Sequence, residues 1–453
     1  MRLTWVQPED LLPHELVASR ADGKDARALE SVRARWVAAD GDPTPPASGA
    51  SATPATPALR RLADELLDEL DALPAAPNPD EPTEWDEIAR SVRPTSLPHP
   101  GDDYVERLEG AWTGRAAGCL LGKPVEKIPR EGIEQILRAG GRWPLTAYFS
   151  AVGLPAEVAA RWPWNRRSAP TSLVENIDGM PEDDDTNYSM LALSLLERHG
   201  AGFTTDDVAQ LWLDDLPAGR VFTAERAAYR NLLLGTPTDR TATVRNPFRE
   251  WIGALIRADV FGWVLPGRLD AAMRLAWTDA RLTHTRNGVY GALWAAGLTC
   301  AAMVCRDVDE VLDAAATCVP PHSKLAEAIA FGRDVGASHD LDAGLDRLHE
   351  RYGDLHWVHV LNNAATIAFA LEYGRGDFGA SICASVTAGW DTDSSSATVG
   401  GVVGALVGPD GIGPAWADPI DGRIASTLPG GERRIADLVA RTAGLARTLR
   451  DAA

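Results

Sequence analysis

Glycine recurs at every fourth position near the end of the chain, at Gly400, Gly404 and Gly408, within a run of small and apolar residues. Residues four apart share one face of an α-helix, so this spacing bares that face and lets a second backbone come close. Such a helix belongs in a tightly packed all-α core. Helical spacing of apolar residues elsewhere agrees, over 133–139, 186–198, 205–213, 223–234, 269–277, 289–304, 308–316, 324–331, 358–371, 378–388 and 396–407. Several of these stretches open on Thr, Ser or Asp, the residues that cap helices. Alternating Val/Ile/Thr-rich segments are nearly absent, so strands are few, and no internal repeat is visible.

The 453 residues carry 44 Lys and Arg against 64 Asp and Glu, a formal charge of −20. That acidity excludes a nucleic-acid clamp and a polybasic membrane-surface protein, both of which need excess positive charge. Five cysteines without a Cys-x-x-Cys pair exclude a disulfide framework and a zinc ribbon, and fit a reduced compartment. The N-terminus has no apolar signal region, and the uncharged run 287–305 is mostly Ala and Gly, better read as a buried helix than as a span. A cytoplasmic location is expected. Residues 42–57 contain only Asp, Pro, Thr, Ala, Ser and Gly and read as a flexible or polyproline-like linker. Short helical patterns flank it at 11–17, 28–37 and 59–70, and a Pro-rich patch follows at 74–100. The division expected is an accessory extension over 1–100 and a catalytic domain over 101–453.

Two acidic clusters carry the chemistry. Glu182-Asp183-Asp184-Asp185-Thr186 leads directly into an apolar-periodic helix. One or two acids would suit a helix dipole; four beside a buried helix suit a divalent cation better. The second, Gly389-Trp390-Asp391-Thr392-Asp393-Ser394-Ser395-Ser396, again sets acids and hydroxyls at a helix start. Together they offer enough hard oxygen ligands for one or two Mg2+-like ions, and no accompanying His or Cys favours zinc.

In these residues the chain resembles the ADP-ribosylglycohydrolase family. The resemblance rests on three blocks in order: Arg107-Leu108-Glu109-Gly110-Ala111 with Gly118-Cys119-Leu120-Leu121-Gly122-Lys123-Pro124-Val125-Glu126, then Asp184-Asp185-Thr186, then Gly389-Trp390-Asp391-Thr392-Asp393-Ser394. It spans roughly 105–410. Asn246-Pro247-Phe248-Arg249-Glu250-Trp251-Ile252-Gly253 and Asn287-Gly288-Val289-Tyr290-Gly291 further resemble a long-form bacterial subgroup with an N-terminal extension. The resemblance implies a compact orthogonal multi-helix bundle in which both acid motifs meet at a two-metal site. Asp183, Asp184 and Asp185 would give one half of the shell and Asp391, Asp393 and Ser394 the other, with Asp393 bridging two Mg2+ ions or Mn2+ in their place. Such ions grip ribose hydroxyls and orient a water for attack at the anomeric carbon, and nearby carboxylates stabilise the oxocarbenium-like transition state. By the same resemblance Glu126, with Asp184, Asp185 and Asp393, is catalytic, gating the site or positioning the water, and His284 lines the substrate cleft.

The chain also departs from the family pattern. Many members have Thr or Ser where Asp183 stands, and Cys119 replaces a frequently acidic position. The phosphate-cradling glycine loop should fall at 251–257, where only Gly253 and Arg257 fit and Trp251 would crowd a backbone–phosphate contact. Trp390 is the foremost candidate to stack on a ligand base. His356 and His359 lack the acid of a His-Glu-x-x-His site, the 118–123 segment fails P-loop spacing, and His322-Ser323 reads as a helix cap. The reading that follows is a metal-dependent hydrolase freeing ADP-ribose from a protein or small-molecule acceptor. Its alternatives are the same chemistry on a small N-riboside or NAD-derived metabolite, and a catalytically silent ADP-ribose-binding module. The sequence leaves the oligomeric state open.

Overall fold

The computed structural model describes residues 2–451. Two helices, Tyr104–Gly122 and Thr392–Ile412, form its axis, antiparallel along a seam of glycines. Gly110, Gly114, Gly118 and Gly122 face Gly404, Gly400, Ser396 and Thr392 in turn, and a Cβ on any of these four glycines would overlap its opposite backbone. Where the facing residue is not glycine, its hydroxyl is used. Ser396 Oγ donates to Gly118 O at 2.6 Å, and Thr392 Oγ1 to Gly122 O at 2.9 Å. The seam ends where Gly408, at φ 67°, and Pro409 kink the second helix.

Val360–Gly374, Phe378–Thr387 and Arg286–Ala302 pack on Thr392–Ile412, and Ile435–Asp451 packs on Tyr104–Gly122. Outside them lie Lys324–Ser338 and Leu269–Ala280. The run read as a buried helix is one: Arg286–Ala302 is buried from Asn287 onward. Among the described residues no helix is long and apolar enough to cross a membrane. Strand content among them is one antiparallel pair, Arg423–Ile424 with Arg433–Arg434, and isolated bridges. The fold is all-α, as the sequence implied.

The first hundred residues form the helices Pro8–Ala21, Ala26–Ala38, Pro57–Ala72 and Trp85–Ser91, and their apolar faces merge into the same core as the rest. Ion pairs join them to it: Arg249 with Glu15 at 3.0 Å and Asp22 at 2.6 Å, Arg286 with Asp22 at 2.9 Å, Arg245 with Asp64 at 2.6 Å. The 42–57 stretch is held along its length rather than free. Trp36 Nε1 donates to Asp42 O at 2.8 Å, Trp357 Nε1 to Ala47 O at 2.7 Å, and Ser51 N–H to Asp10 Oδ1 at 2.8 Å. Composition could not reveal this, because the partners are side chains elsewhere in the chain, Trp36 and Trp357 donating and Asp10 accepting. The Pro-rich patch is fixed likewise, by Trp277 Nε1 on Thr83 O at 2.9 Å and by Arg286 and Asn287 on Glu81.

Candidate active site

Asp183 precedes the helix Asp184–His199 as its N-cap, with Oδ1 accepting the Asp185 N–H at 2.9 Å. Its Oδ2 pairs with the ammonium of Lys123, which also donates to Glu182 O at 3.2 Å. Burial alone would raise the Asp183 carboxyl, but Lys123 outweighs it and holds the group below its ordinary range. Asp185 points deeper, where Ser394 Oγ donates to Oδ2 at 3.1 Å and Arg115 approaches Oδ1 at 3.4 Å. Arg115 is itself fully buried, pairs with Asp259 and donates to Asp185 O at 2.9 Å. Asp184 is left half-buried and facing the cleft.

The second cluster is aimed by a strained turn. Gly389 and Trp390 both have positive φ, 77° and 64°, and for a residue as bulky as Trp that conformation must be held by its surroundings. Asp391 then occupies the N-cap position of Thr392–Ile412 yet makes no capping bond. Its carboxylate turns to the cleft instead, while its N–H rests on Asn363 Oδ1 at 3.3 Å. Asp393 accepts the Ser394 N–H at 3.1 Å.

Both clusters and Glu126 meet on the floor of one cavity of about 560 Å³, a size suited to a small-molecule ligand. Burial pushes Asp393 up to about 7, with the charges of Glu126 and Asp183 adding to it and Lys123 opposing. Burial, then neighbouring carboxylates, likewise raise Asp184 and Asp391 well above the usual range. Acids crowded this way, two of them (Asp184 and Asp391) without a cap or ion pair of their own, fit a hard divalent cation. Cys119 Sγ lies with the Asp183 and Asp185 oxygens within 4.8 Å of one another, but burial keeps it a thiol, a poor ligand.

The remaining sequence candidates divide. Gly253 lines the cavity, and a Cβ there would strike the Glu225 carboxylate. Arg257 does not reach a ligand. It is buried behind the wall and committed to Glu225, Asp279 and the Thr283 hydroxyl, the last at 2.7 Å. His284 is fully buried beside it, with Nδ1 2.6 Å from Thr283 Oγ1, and lines no part of the cleft. Trp390 stacks on His349 at 4.1 Å between ring centroids, so its face is already covered. Trp251 also turns away, stacking on His356 at 4.3 Å in a cluster with Trp5, His14 and Phe248. Sequence reasoning missed Lys123, Arg115, Glu225 and Asn363. It also missed the rim, where Lys127, Arg166, Arg167 and Arg220 stand among Phe222 and Trp357. Only the double arginine at 166–167 was visible as a local signal.

The chain belongs to the ADP-ribosylglycohydrolase family, whose model matches residues 100–450. Membership points to hydrolysis of glycosidic bonds. An uncharacterized protein of Archaeoglobus fulgidus is 25% identical over 305 residues, 66% of this chain and 87% of that protein. A solved structure described as an ADP-ribosylglycohydrolase-related protein complex is similar at 20% identity and TM-score 0.45, over 77% of this chain and 100% of that one.

Proposed function

We propose that the chain is a divalent-metal-dependent hydrolase that cleaves a glycosidic bond to ribose and releases ADP-ribose from a protein or small-molecule acceptor. The observation that carries this is the polarity of the cleft: a carboxylate floor beneath a basic rim, on a chain whose net charge is −20. An acid floor suits a cation and ribose hydroxyls; guanidinium groups on the rim suit a diphosphate. That rim favours ADP-ribose over a riboside lacking phosphate.

Asp184, Asp391 and Asp393 would hold the ion, which when bound polarises hydroxyl oxygens and water as a Lewis acid. The chain's own groups do the rest. Glu126, half-buried at the cavity and hydrogen-bonded by Asn165, takes a proton from the attacking water. The water oxygen bonds to the anomeric carbon as the bond to the acceptor breaks, and the acceptor leaves with its electron pair. Asp391 and Asp393 face the positive charge that develops on the sugar. Arg166 and Arg167, exposed at the rim, orient the diphosphate.

The test is hydrolysis of ADP-ribosyl-arginine and ADP-ribosyl-serine beside ribosides without diphosphate. Turnover of an ADP-ribosyl substrate, lost in Asp393→Ala and with KM raised about tenfold in Arg166→Ala/Arg167→Ala, is expected. Full activity of Asp393→Ala, or turnover of ribosides alone, would overturn the assignment.

A further inference from the structure

Asn165 uses each of its four polar atoms, and with them ties a turn of the rim to the loop that carries Glu126. Its backbone N–H donates to Pro124 O at 2.9 Å, and its Nδ2 donates to Glu126 Oε2 at 2.5 Å. Its Oδ1 accepts the Arg167 N–H at 3.0 Å. Its carbonyl accepts the N–H of Ser168 at 3.1 Å and of Ala169 at 2.9 Å, where the short helix Ala169–Ser172 begins. The other oxygen of Glu126 meets the Lys127 ammonium at 3.2 Å, on a side chain that is 42% exposed. Water screens such a pair, so the charge-assisted bond from half-buried Asn165 is the stronger hold on the carboxylate. The turn from Asn165 to Ser168 carries Arg166 and Arg167, both exposed on the cavity rim. Lys127 and Arg220 on the same rim already pair with Glu126 and Glu182, whereas Arg166 and Arg167 have no carboxylate partner among the described residues.

We infer that Asn165 is the positioning residue through which Arg166 and Arg167 set Glu126, so that a diphosphate held by the two arginines contributes to turnover as well as to binding. This rests on the hydrolase reading above and deepens it, giving the diphosphate a part in the chemical step. The physical reason is that binding energy gained far from the reacting bond can be used to hold a reacting group in place. A diphosphate clamped by both guanidinium groups restrains the turn 165–168, and the Asn165 amide passes that restraint to the Glu126 carboxylate. Without that bond the carboxylate is left to the screened lysine, and a displacement of about 1 Å at a reacting group costs roughly a hundredfold in rate.

The experiment measures kcat and KM of the whole chain on ADP-ribosyl-arginine or ADP-ribosyl-serine, whichever it turns over faster, and the affinity for ADP-ribose by calorimetry. Asn165→Ala should lower kcat about tenfold or more, with KM and ADP-ribose affinity within about threefold of the natural protein. Asn165→Asp keeps the acceptor for the Arg167 N–H and loses the donor to Glu126, so its kcat should fall as far. Natural kcat in that variant would mean that Asn165 serves the turn alone, and overturns the inference. Arg166→Ala/Arg167→Ala should lower kcat about tenfold besides raising KM. Adding Asn165→Ala to it should leave kcat within about threefold of Asn165→Ala alone, because the three residues act along one line. A pair variant that raises KM with kcat unchanged, or losses that multiply in the triple variant, overturns the inference. So does a fall in ADP-ribose affinity in Asn165→Ala as large as the fall in kcat. No turnover by the natural protein overturns the hydrolase reading as well; turnover with kcat unchanged in Asn165→Ala overturns the inference alone. Should Asn165→Ala fail to fold, Asn165→Asp and the arginine pair still decide.

Discussion

Asp183 and Asp391 each stand immediately before a helix, and they behave oppositely. Asp183 caps its helix and pairs with Lys123, whereas Asp391 leaves its helix uncapped and faces the cleft. The sequence made both acids visible, since each lies in a local motif. It could not tell them apart, because the distinguishing partner, Lys123, is 60 residues from Asp183. Arg115 was hidden for the same reason, 70 residues from Asp185. Arg115→Met should cost about 3–5 kcal/mol in denaturant unfolding, because Asp259 and Asp185 would be left buried without their cation. A cost below about 1 kcal/mol would contradict that role. A pH dependence follows from Asp393, raised from 3.8 to about 7. Its folded form binds the proton more tightly than its unfolded form, so its contribution to stability is complete below pH 4 and is lost as pH rises through 7. Buried His14 and His356, lowered to about 3, act in the opposite direction below pH 6.5, so the comparison must be with Asp393→Asn. Without divalent metal, the Tm of the natural protein should fall relative to that variant between pH 5 and pH 8. A difference that stays flat or grows would contradict the burial argument.

Helix legibility depended on whether a helix has an outside. Val308–Ala316 is amphipathic, with Asp309, Asp313 and Ala316 exposed between buried residues, and the sequence located it at both ends. Tyr104–Gly122 was quoted only as a motif. It is buried along almost its whole length from Gly110 to Gly122, so no polar face marks its period, and its seam is bare glycine. The seam itself was half legible, through Gly400 and Gly404. Gly408 shared the spacing but serves as the kink. Gly114→Ala tests the close approach. Intrinsic helix propensity would favour alanine, yet the new methyl would meet the Gly400 carbonyl. A loss of about 1–3 kcal/mol or more is expected. Gly202→Ala, with nothing within 4 Å of the added methyl, should change stability by less than about 0.5 kcal/mol. Equal effects at the two sites would show that the seam is not tightly packed.

The family model begins at residue 100, yet the cavity does not: Thr4, Trp5 and Ser48 line it beside the acids. Trp5 is buried edge-on against Phe248 and Trp251, at 5.4 and 5.6 Å between centroids, and its backbone N–H donates to Gly49 O at 2.7 Å. The 42–57 stretch therefore helps to wall the cleft. With one continuous core, the extension and the rest should unfold together, giving a single thermal transition that coincides by far-UV circular dichroism and tryptophan fluorescence. An earlier, separate transition would mean that the first hundred residues dock weakly. At this scale the ligand-binding surface was the least legible part, because a cleft assembled from residues 4 to 394 has no local signature. The most direct test of a metal-dependent ADP-ribose site is calorimetric titration of ADP-ribose, and then of ribose fragments lacking the diphosphate, into metal-loaded and chelator-stripped protein. Binding of ADP-ribose that requires the metal, and that weakens at least about tenfold when the diphosphate is removed, is expected. Equal binding with and without metal, or binding of ribosides with no gain from the diphosphate, would contradict it.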